Sequence, residues 1–351
     1  MNGQIRYIGN NTDVQVDKLE VYTLYKVKVT VCGEIDCTST TTEVYTGELP
    51  PEAVVAPQVN VLGNDRVGVQ WLIPVKPNGV ITGYEVFRST DTSLNNLVSV
   101  FNTTSVTNNF LVNKLTPGTT YYFRIKAYTA AGGTLGDASA ATTLEDAPSG
   151  IPPPTATPYN STTILVRMFP PASPNGVITE YKIIQNSAVV MKSTIFPTNG
   201  YVADGLRAFS KHVFRAEVCT SKGCGSSDSV TSYTEHGAPK GTITLSVSEI
   251  QNRTIDASWN ELSEPNGEVN YTVYLTGEFY ALLGAMNTFE TTNKTEICYS
   301  GEVPTHLVRC VGLLPNTRYE VQVNGSNNAG YVLSNKVEVS TQPDGKRWFT
   351  L

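Results

Sequence analysis

Histidine is nearly absent from this chain: His212, His236 and His306 are the three it has. So few imidazoles leave little material for metal ligation or for acid–base chemistry near neutral pH. Charge is also sparse. Asp, Glu, Lys and Arg make up 16% of the residues, against roughly a quarter in a typical soluble domain. What charge there is leans acidic, with a formal net of −6, which excludes the basic surface that nucleic-acid binding requires. No run approaches the ~18 apolar residues of a membrane helix, so direct membrane insertion is not expected. The most apolar patch, Tyr280-Ala281-Leu282-Leu283-Gly284-Ala285-Met286, is far too short. Met1-Asn2-Gly3-Gln4-Ile5-Arg6 contains no apolar export core. Zincin, nucleophile-elbow, P-loop and EF-hand signatures are all missing, as is Arg-Gly-Asp. These absences point to a chain that is not an enzyme and needs no cofactor.

What fills the space is hydroxyl and turn chemistry. Ser and Thr account for 69 of 351 residues, with 28 Gly and 20 Pro. A Thr-, Val- and Tyr-rich chain punctuated by Gly and Pro is expected to be all-β. Internal repeats then organise it. Val69-Gln70-Trp71, Val166-Arg167-Met168 and Ala257-Ser258-Trp259 are each followed by Pro-Asn-Gly, at 77–79, 174–176 and 265–267. A second signature is a Leu, then an aromatic or His six residues on, then apolar residues at alternate positions. It occurs at Leu19/Tyr25, Leu115/Tyr121, Leu206/His212 and Leu313/Tyr319. Strict alternation places one face in a core and one in water, as in antiparallel strands. Pro57, Pro148 and Pro239 stand 91 residues apart each time. Leu49-Pro50-Pro51 and Ile151-Pro152-Pro153-Pro154 suit short, stiff linkers. The Pro-Asn-Gly tripeptides read as turns between strands. Gly132-Gly133-Thr134-Leu135-Gly136 reads as a hairpin loop, since no helix follows to hold a phosphate.

Units of about 90 residues with a Trp on an early strand and a Tyr opening a late one resemble fibronectin type III domains. The resemblance implies tandem immunoglobulin-like antiparallel β-sandwiches. It makes Trp71 and Trp259 core residues and Tyr25, Tyr121 and Tyr319 corner residues tied back to the preceding loop. One unit departs, with Met168 for the Trp and His212 for the Tyr; both are expected to be structural substitutes, and this unit the least stable of the complete ones. The units are expected at 1–49 (later strands only), 50–147, 148–238 and 239–343, with a tail at 344–351. Half a sandwich at the start leaves a sheet face open, so the chain is expected to be a piece of a longer protein.

Six cysteines form local pairs. Cys32 and Cys219 each lie seven residues after the corner position, which puts Cys32–Cys37 and Cys219–Cys224 across the hairpin of the last two strands, within disulfide reach. Cys298–Cys310 fits another hairpin. The rival, zinc, lacks two further ligands nearby. Disulfides imply an extracellular or cell-surface compartment. Asn-x-Ser/Thr sequons at Asn10, Asn102, Asn160, Asn252, Asn293 and Asn324 are candidate N-glycosylation sites; the one at Asn270 lies beside a strand Tyr and is expected to be poorly accessible. The cysteine placement narrows the resemblance to long type III arrays of large extracellular proteins in sensory-cell links and basement membranes.

The last unit carries an insertion near 277–297, holding Tyr280, Leu282 and Leu283. It is expected either to pack on its own sandwich or to form an apolar contact patch. The expected function is a non-enzymatic adhesion and spacer segment. Its partners would be the neighbouring domains of the same chain and matrix or cell-surface proteins. The alternatives are a ligand-binding ectodomain of the receptor tyrosine phosphatase type and an accessory module of a secreted enzyme.

Overall fold

The structure is a computed structural model; it describes residues 5–283, 288–301 and 306–345. The residues described form strands and no helix, so none is long and apolar enough to cross a membrane. Antiparallel pairing joins the strands within the sheets.

The first element is a lone hairpin. Strands β1 (Leu24–Cys32) and β2 (Cys37–Tyr45) pair along their whole length, from Leu24↔Tyr45 to Cys32↔Cys37. Its valines at 27, 29, 31 and 44 are all exposed.

The next sandwich has a three-stranded sheet of β3 (Gln58–Val61), β4 (Val67–Gln70) and β7 (Asn109–Val112). Facing it are β5 (Gly83–Ser89), β6 (Val98–Thr103), β8 (Thr120–Thr129), β9 (Gly132–Leu135) and β10 (Ser139–Thr142), in the order β10-β8-β5-β6 with β9 also on β8. The alternation in Thr120–Thr129 becomes a strict outward–inward pattern of exposure, and Tyr121, Phe123, Ile125 and Ala127 enter the core. Trp71 lies in that core at 5.6 Å from Tyr84.

The third sandwich repeats the plan. Strands β11 (Thr155–Asn160), β12 (Thr163–Arg167) and β15 (Tyr201–Ala203) form one sheet. Strands β13 (Glu180–Gln185), β14 (Ala188–Ser193), β16 (Lys211–Thr220), β17 (Gly223–Ser226) and β18 (Val230–Tyr233) form the other. Ile164, Val166, Met168, Ile183 and Phe214 are buried in it. The fourth has β19 (Leu245–Ser248), β20 (Thr254–Trp259) and β23 (Leu307–Val311) against β21 (Asn270–Leu283), β22 (Thr288–Gly301), β24 (Arg318–Asn327), β25 (Gly330–Leu333) and β26 (Val337–Ser340).

Spatial proximity groups the chain into two compact units. One is Met1–Gly150 with Pro171–Glu180 and Val218–Gly225; the other is Ile151–Pro170, Tyr181–Glu217 and Ser226–Leu351. The first therefore gathers the lone hairpin, the second sandwich and two turns of the third. The second gathers the body of the third sandwich and the fourth.

One expectation needs correcting here. Cys298 and Cys310 are bonded, but their strands, β22 and β23, belong to different sheets. This bond ties one sheet of the fourth sandwich to the other and does not close a hairpin. The segment near 277–297 continues existing strands. It lengthens β21 and β22, whose pairing continues from Glu278↔Asn293 to Leu283↔Thr288 after β21 has left β24 at Gly277↔Tyr319.

Candidate functional site at the sandwich junctions

No enclosed chemistry-bearing cleft occurs among the described residues. The one grouping there of metal-type ligands is Glu217 with Cys219 and Cys224, and its two sulfurs are bonded to each other, so they offer no thiolate. Polar order concentrates instead where one unit, the lone hairpin or a sandwich, hands the chain to the next, and it does so three times with the same parts.

Each junction starts at a left-handed turn residue three positions after the repeat's Leu. Its amide donates to the carbonyl of the first linker residue: Tyr22 to Gly47, Gly118 to Leu144, Phe209 to Glu235, at 3.2, 3.0 and 3.1 Å. Two residues further along the linker, the amides of Leu49, Asp146 and Gly237 donate to the backbone carbonyls of Asn78, Asn175 and Asn266 at 3.0, 2.8 and 2.9 Å. These are the asparagines of the three Pro-Asn-Gly turns. Each Asn side chain returns a bond through Nδ2, to the carbonyls of Pro50, Ala147 and Ala238 at 3.2, 2.8 and 2.9 Å. A third clamp comes from the last residue of the long late strand. Thr129 Oγ1 donates to Leu49 O, Thr220 Oγ1 to Asp146 O and Asn327 Nδ2 to Gly237 O. The linker then runs on as a short antiparallel bridge, Glu52↔Lys76, Ser149↔Ser173 and Lys240↔Glu264.

Asn is the residue the turn needs. Asn78, Asn175 and Asn266 have φ of 52°, 56° and 51°, the left-handed region that Asn tolerates better than other side-chain-bearing residues. The following Gly leaves room for the linker. An ideal Cβ on Gly176 would come within 2.7 Å of Glu145 Cγ, and one on Gly267 within 2.3 Å of His236 Nδ1. A left-handed residue also ends each linker: Ala53, Gly150 and Gly241, at 53°, 62° and 114°.

Between the first and third anchors sits a residue that reaches across. Glu48 accepts from the amides of Val80 and Ala130, at 3.1 and 3.2 Å. Glu145 accepts from the Val177 amide at 2.8 Å and from Ser221 Oγ at 2.5 Å. The Ser221 hydroxyl first, and then the Val177 amide, hold the Glu145 carboxyl below the usual carboxylate range. At the third junction the equivalent residue is His236. Its ring packs on Phe209 with centroids 4.3 Å apart, and its buried Nδ1 makes no hydrogen bond.

The sequence-expected residues lie around these junctions. The hydroxyls of Tyr25, Tyr121 and Tyr319 accept from the amides of Glu20, Thr116 and Leu314, each at 2.9 Å. His212 takes different partners: its Nε2 meets Ser210 Oγ at 2.8 Å, and its Nδ1 meets Gln185 Nε2 at 3.1 Å. Burial pushes the His212 pKa below its ordinary value. Trp71, Met168 and Trp259 are buried, and neither indole N–H has a partner. Cys32–Cys37 and Cys219–Cys224 are bonded. Among the sequons, Asn10, Asn102 and Asn293 are exposed, and so is Asn270, against the expectation that its place beside a strand Tyr would shield it. Asn252 donates to Asp344, Asn160 caps the Thr162 amide, and Asn324 has its Oδ1 buried without a bond. The side chains of Tyr280, Leu282 and Leu283, and the tail from 346, lie outside the described residues.

Sequence reasoning read Pro-Asn-Gly only as a turn between strands and missed its second use as the socket for the incoming linker. A signal was present. Linker anchor and Asn are 29 residues apart each time, 49 to 78, 146 to 175 and 237 to 266.

Comparison with known proteins places the chain in a family. The model of the fibronectin type III domain matches residues 50–144 and 237–340. These are the stretches with Trp71 and Tyr121 and with Trp259 and Tyr319; the sandwich carrying Met168 and His212 lies between them. The chain is 32% identical to human usherin over 98% of its own length and 7% of usherin's. It is 30% identical to the phosphatidylinositol phosphatase PTPRQ of Rattus norvegicus over 73% of its length and 12% of that protein's. It is 27% identical to the cell adhesion molecule Dscam1 of Drosophila melanogaster over 96% of its length and 17% of that protein's. The chain thus spans a small part of each relative.

Proposed function

The chain belongs to the fibronectin type III family, and from that premise we propose that it is a non-enzymatic extracellular segment that holds adhesion surfaces at a fixed spacing. The observation that carries this reading is the threefold recurrence of one hydrogen-bond set across the linkers. A single such bond stabilises by about 1 kcal/mol. Several acting on one short linker order a segment that would otherwise leave neighbouring sandwiches to reorient independently. A repeat protein whose function is spacing needs stiffness at the joints, because reach is lost wherever a joint bends freely.

The likeness to usherin and Dscam1 supports placing the segment at a cell surface or in matrix, where disulfides persist. The role in sensory-cell links or basement-membrane contacts, implied by the resemblance, is the finer part of this proposal. Its partners would be the flanking domains of the same protein and other surface or matrix proteins. The domain limits at 50–147, 148–238 and 239–343 belong to the same proposal. The likeness to PTPRQ supports a second reading, a receptor ectodomain with a specific ligand. In that reading the lengthened β21–β22 hairpin, with Tyr280, Leu282 and Leu283, is the contact surface.

Nuclear spin relaxation on the whole chain tests the spacer reading. The units on either side of a junction are expected to report one shared rotational diffusion tensor. Independent tensors at all three junctions would refute it. For the receptor reading, Leu282→Ser with Leu283→Ser is expected to abolish ligand capture while leaving the melting temperature unchanged; a large fall in melting temperature would assign those residues to packing.

A further inference from the structure

The turn residue that opens each junction varies while its backbone conformation and its amide bond to the linker stay constant. Tyr22, Gly118 and Phe209 share a left-handed backbone, at 45°, 59° and 48°, and the same amide-to-linker bond. The fourth sandwich has Asn316 at this place, at 51°, with its amide on Gln342 O. Gly and Asn adopt this conformation readily; a bulky aromatic does so only where its surroundings compel it. Two of the three junctions nevertheless use an aromatic residue there, and strain of this kind gathers at places with a task.

What each residue touches gives the task. Tyr22 stacks on Tyr45, centroids 5.2 Å apart, and lines a shallow depression with Lys76, Pro77, Asn78 and Gly79, the docking turn of the next sandwich. Phe209 packs on Tyr233 at 6.4 Å and on His236 at 4.3 Å. His236 in turn fills the space over Gly267 of the next docking turn. Tyr45 and Tyr233 occupy the same repeat position, so the pair recurs as a pair. The middle junction has neither ring. An ideal Cβ on Gly118 would lie 2.6 Å from Gly176 Cα and 2.9 Å from Asn175 O, so backbone meets backbone and no side chain fits.

The geometry points to this turn residue as the spacer that fixes how each sandwich seats on the next. An aromatic wedge holds the first and third junctions apart, and glycine lets the middle one close to backbone contact. Tyr22, Gly118 and Phe209 are positioning residues. The inference rests on the reading of the junctions as stiff and adds which side chain sets their geometry.

The test uses Asn, which the fourth sandwich already carries at this position. Phe209→Asn and Gly118→Asn keep the left-handed preference and change only what projects into the junction. Residual dipolar couplings of the whole chain are measured for the wild type and both variants. The expected result is a wild type in which one alignment tensor fits both flanking sandwiches at the second and third junctions. In each variant the tensors are expected to reorient at the altered junction alone, with amide shifts in the distant sandwich unchanged. If Phe209→Asn fails to fold, Phe209→Gly takes its place. Wild-type tensors retained in both variants would overturn the spacer assignment and leave the stiff-junction reading standing. Unrelated tensors in the wild type itself would overturn that reading.

Discussion

Asn175→Gly separates junction energy from sandwich energy. The substitution keeps the turn, because Gly accepts the φ of 56° as readily as Asn. It leaves intact the bond from the Asp146 amide to the residue-175 carbonyl. It removes the side-chain bonds to Ala147 O at 2.8 Å and Ser149 Oγ at 3.2 Å. Ser149 is exposed, so its bond competes with water, and the loss is set mainly by the first: about 1 to 1.5 kcal/mol, or about 5- to 13-fold in the population of the opened linker. Hydrogen exchange at the Asp146 amide reads that opening directly. Its protection is expected to fall by this factor, while Phe214 in the sandwich core keeps its own. Asn175→Ala adds left-handed strain of roughly 1 kcal/mol, so its protection should fall further. Unchanged protection at Asp146 in Asn175→Gly would show that the Asn side chain does not close the junction. An equal fall at Phe214 would show that the turn belongs to the sandwich fold alone.

Other expectations follow from single positions. Met168 is 4% exposed, and Met168→Ala should lower the unfolding free energy of the third sandwich by about 2 to 4 kcal/mol in denaturant titration. Ala53→Gly should stabilise the second sandwich by roughly 0.5 kcal/mol, since the two other linkers carry Gly at this left-handed position and the relieved strain exceeds the entropy Gly adds. The His212 pKa is lowered by burial, so the unfolded chain takes up the proton first as pH falls. Stability of the third sandwich is then full above about pH 6.5 and lost as pH drops from there toward the folded pKa. Thermal melts of His212→Tyr between neutral and mildly acidic pH should show that dependence removed.

Much of this architecture was legible because its signals are periodic. The alternation at 121–127 fixes which face of β8 is buried, and its recurrence at 212–218 and 319–323 shows the same strand built again. The Leu-to-Tyr spacing of six carries the corner bond for the same reason: the Tyr must reach the amide just after the Leu. Pairings that depend on which sheet a strand joins were hidden. The eleven residues between Cys298 and Cys310 suit a hairpin as well as a crossing from β22 to β23, and only the sheet order decides. The partners of His212 were equally out of view, because Gln185 comes from another strand. The docking of linkers was obscured by its own chemistry: most of its bonds run between backbone groups, which any residue supplies, and Asn with Gly also serves an ordinary turn.

Linkers between domains are ordinarily where a protease enters a multidomain chain, because the backbone there is free to extend into its cleft. In this chain the residues at 49–52, 146–149 and 237–240 already have their backbone groups engaged by the following sandwich. Cleavage at these places requires the whole clamp to open first. The durability of such an array among extracellular proteases is then governed by how often its joints undock, and each Asn of a Pro-Asn-Gly turn guards the peptide bonds of a linker 29 residues upstream.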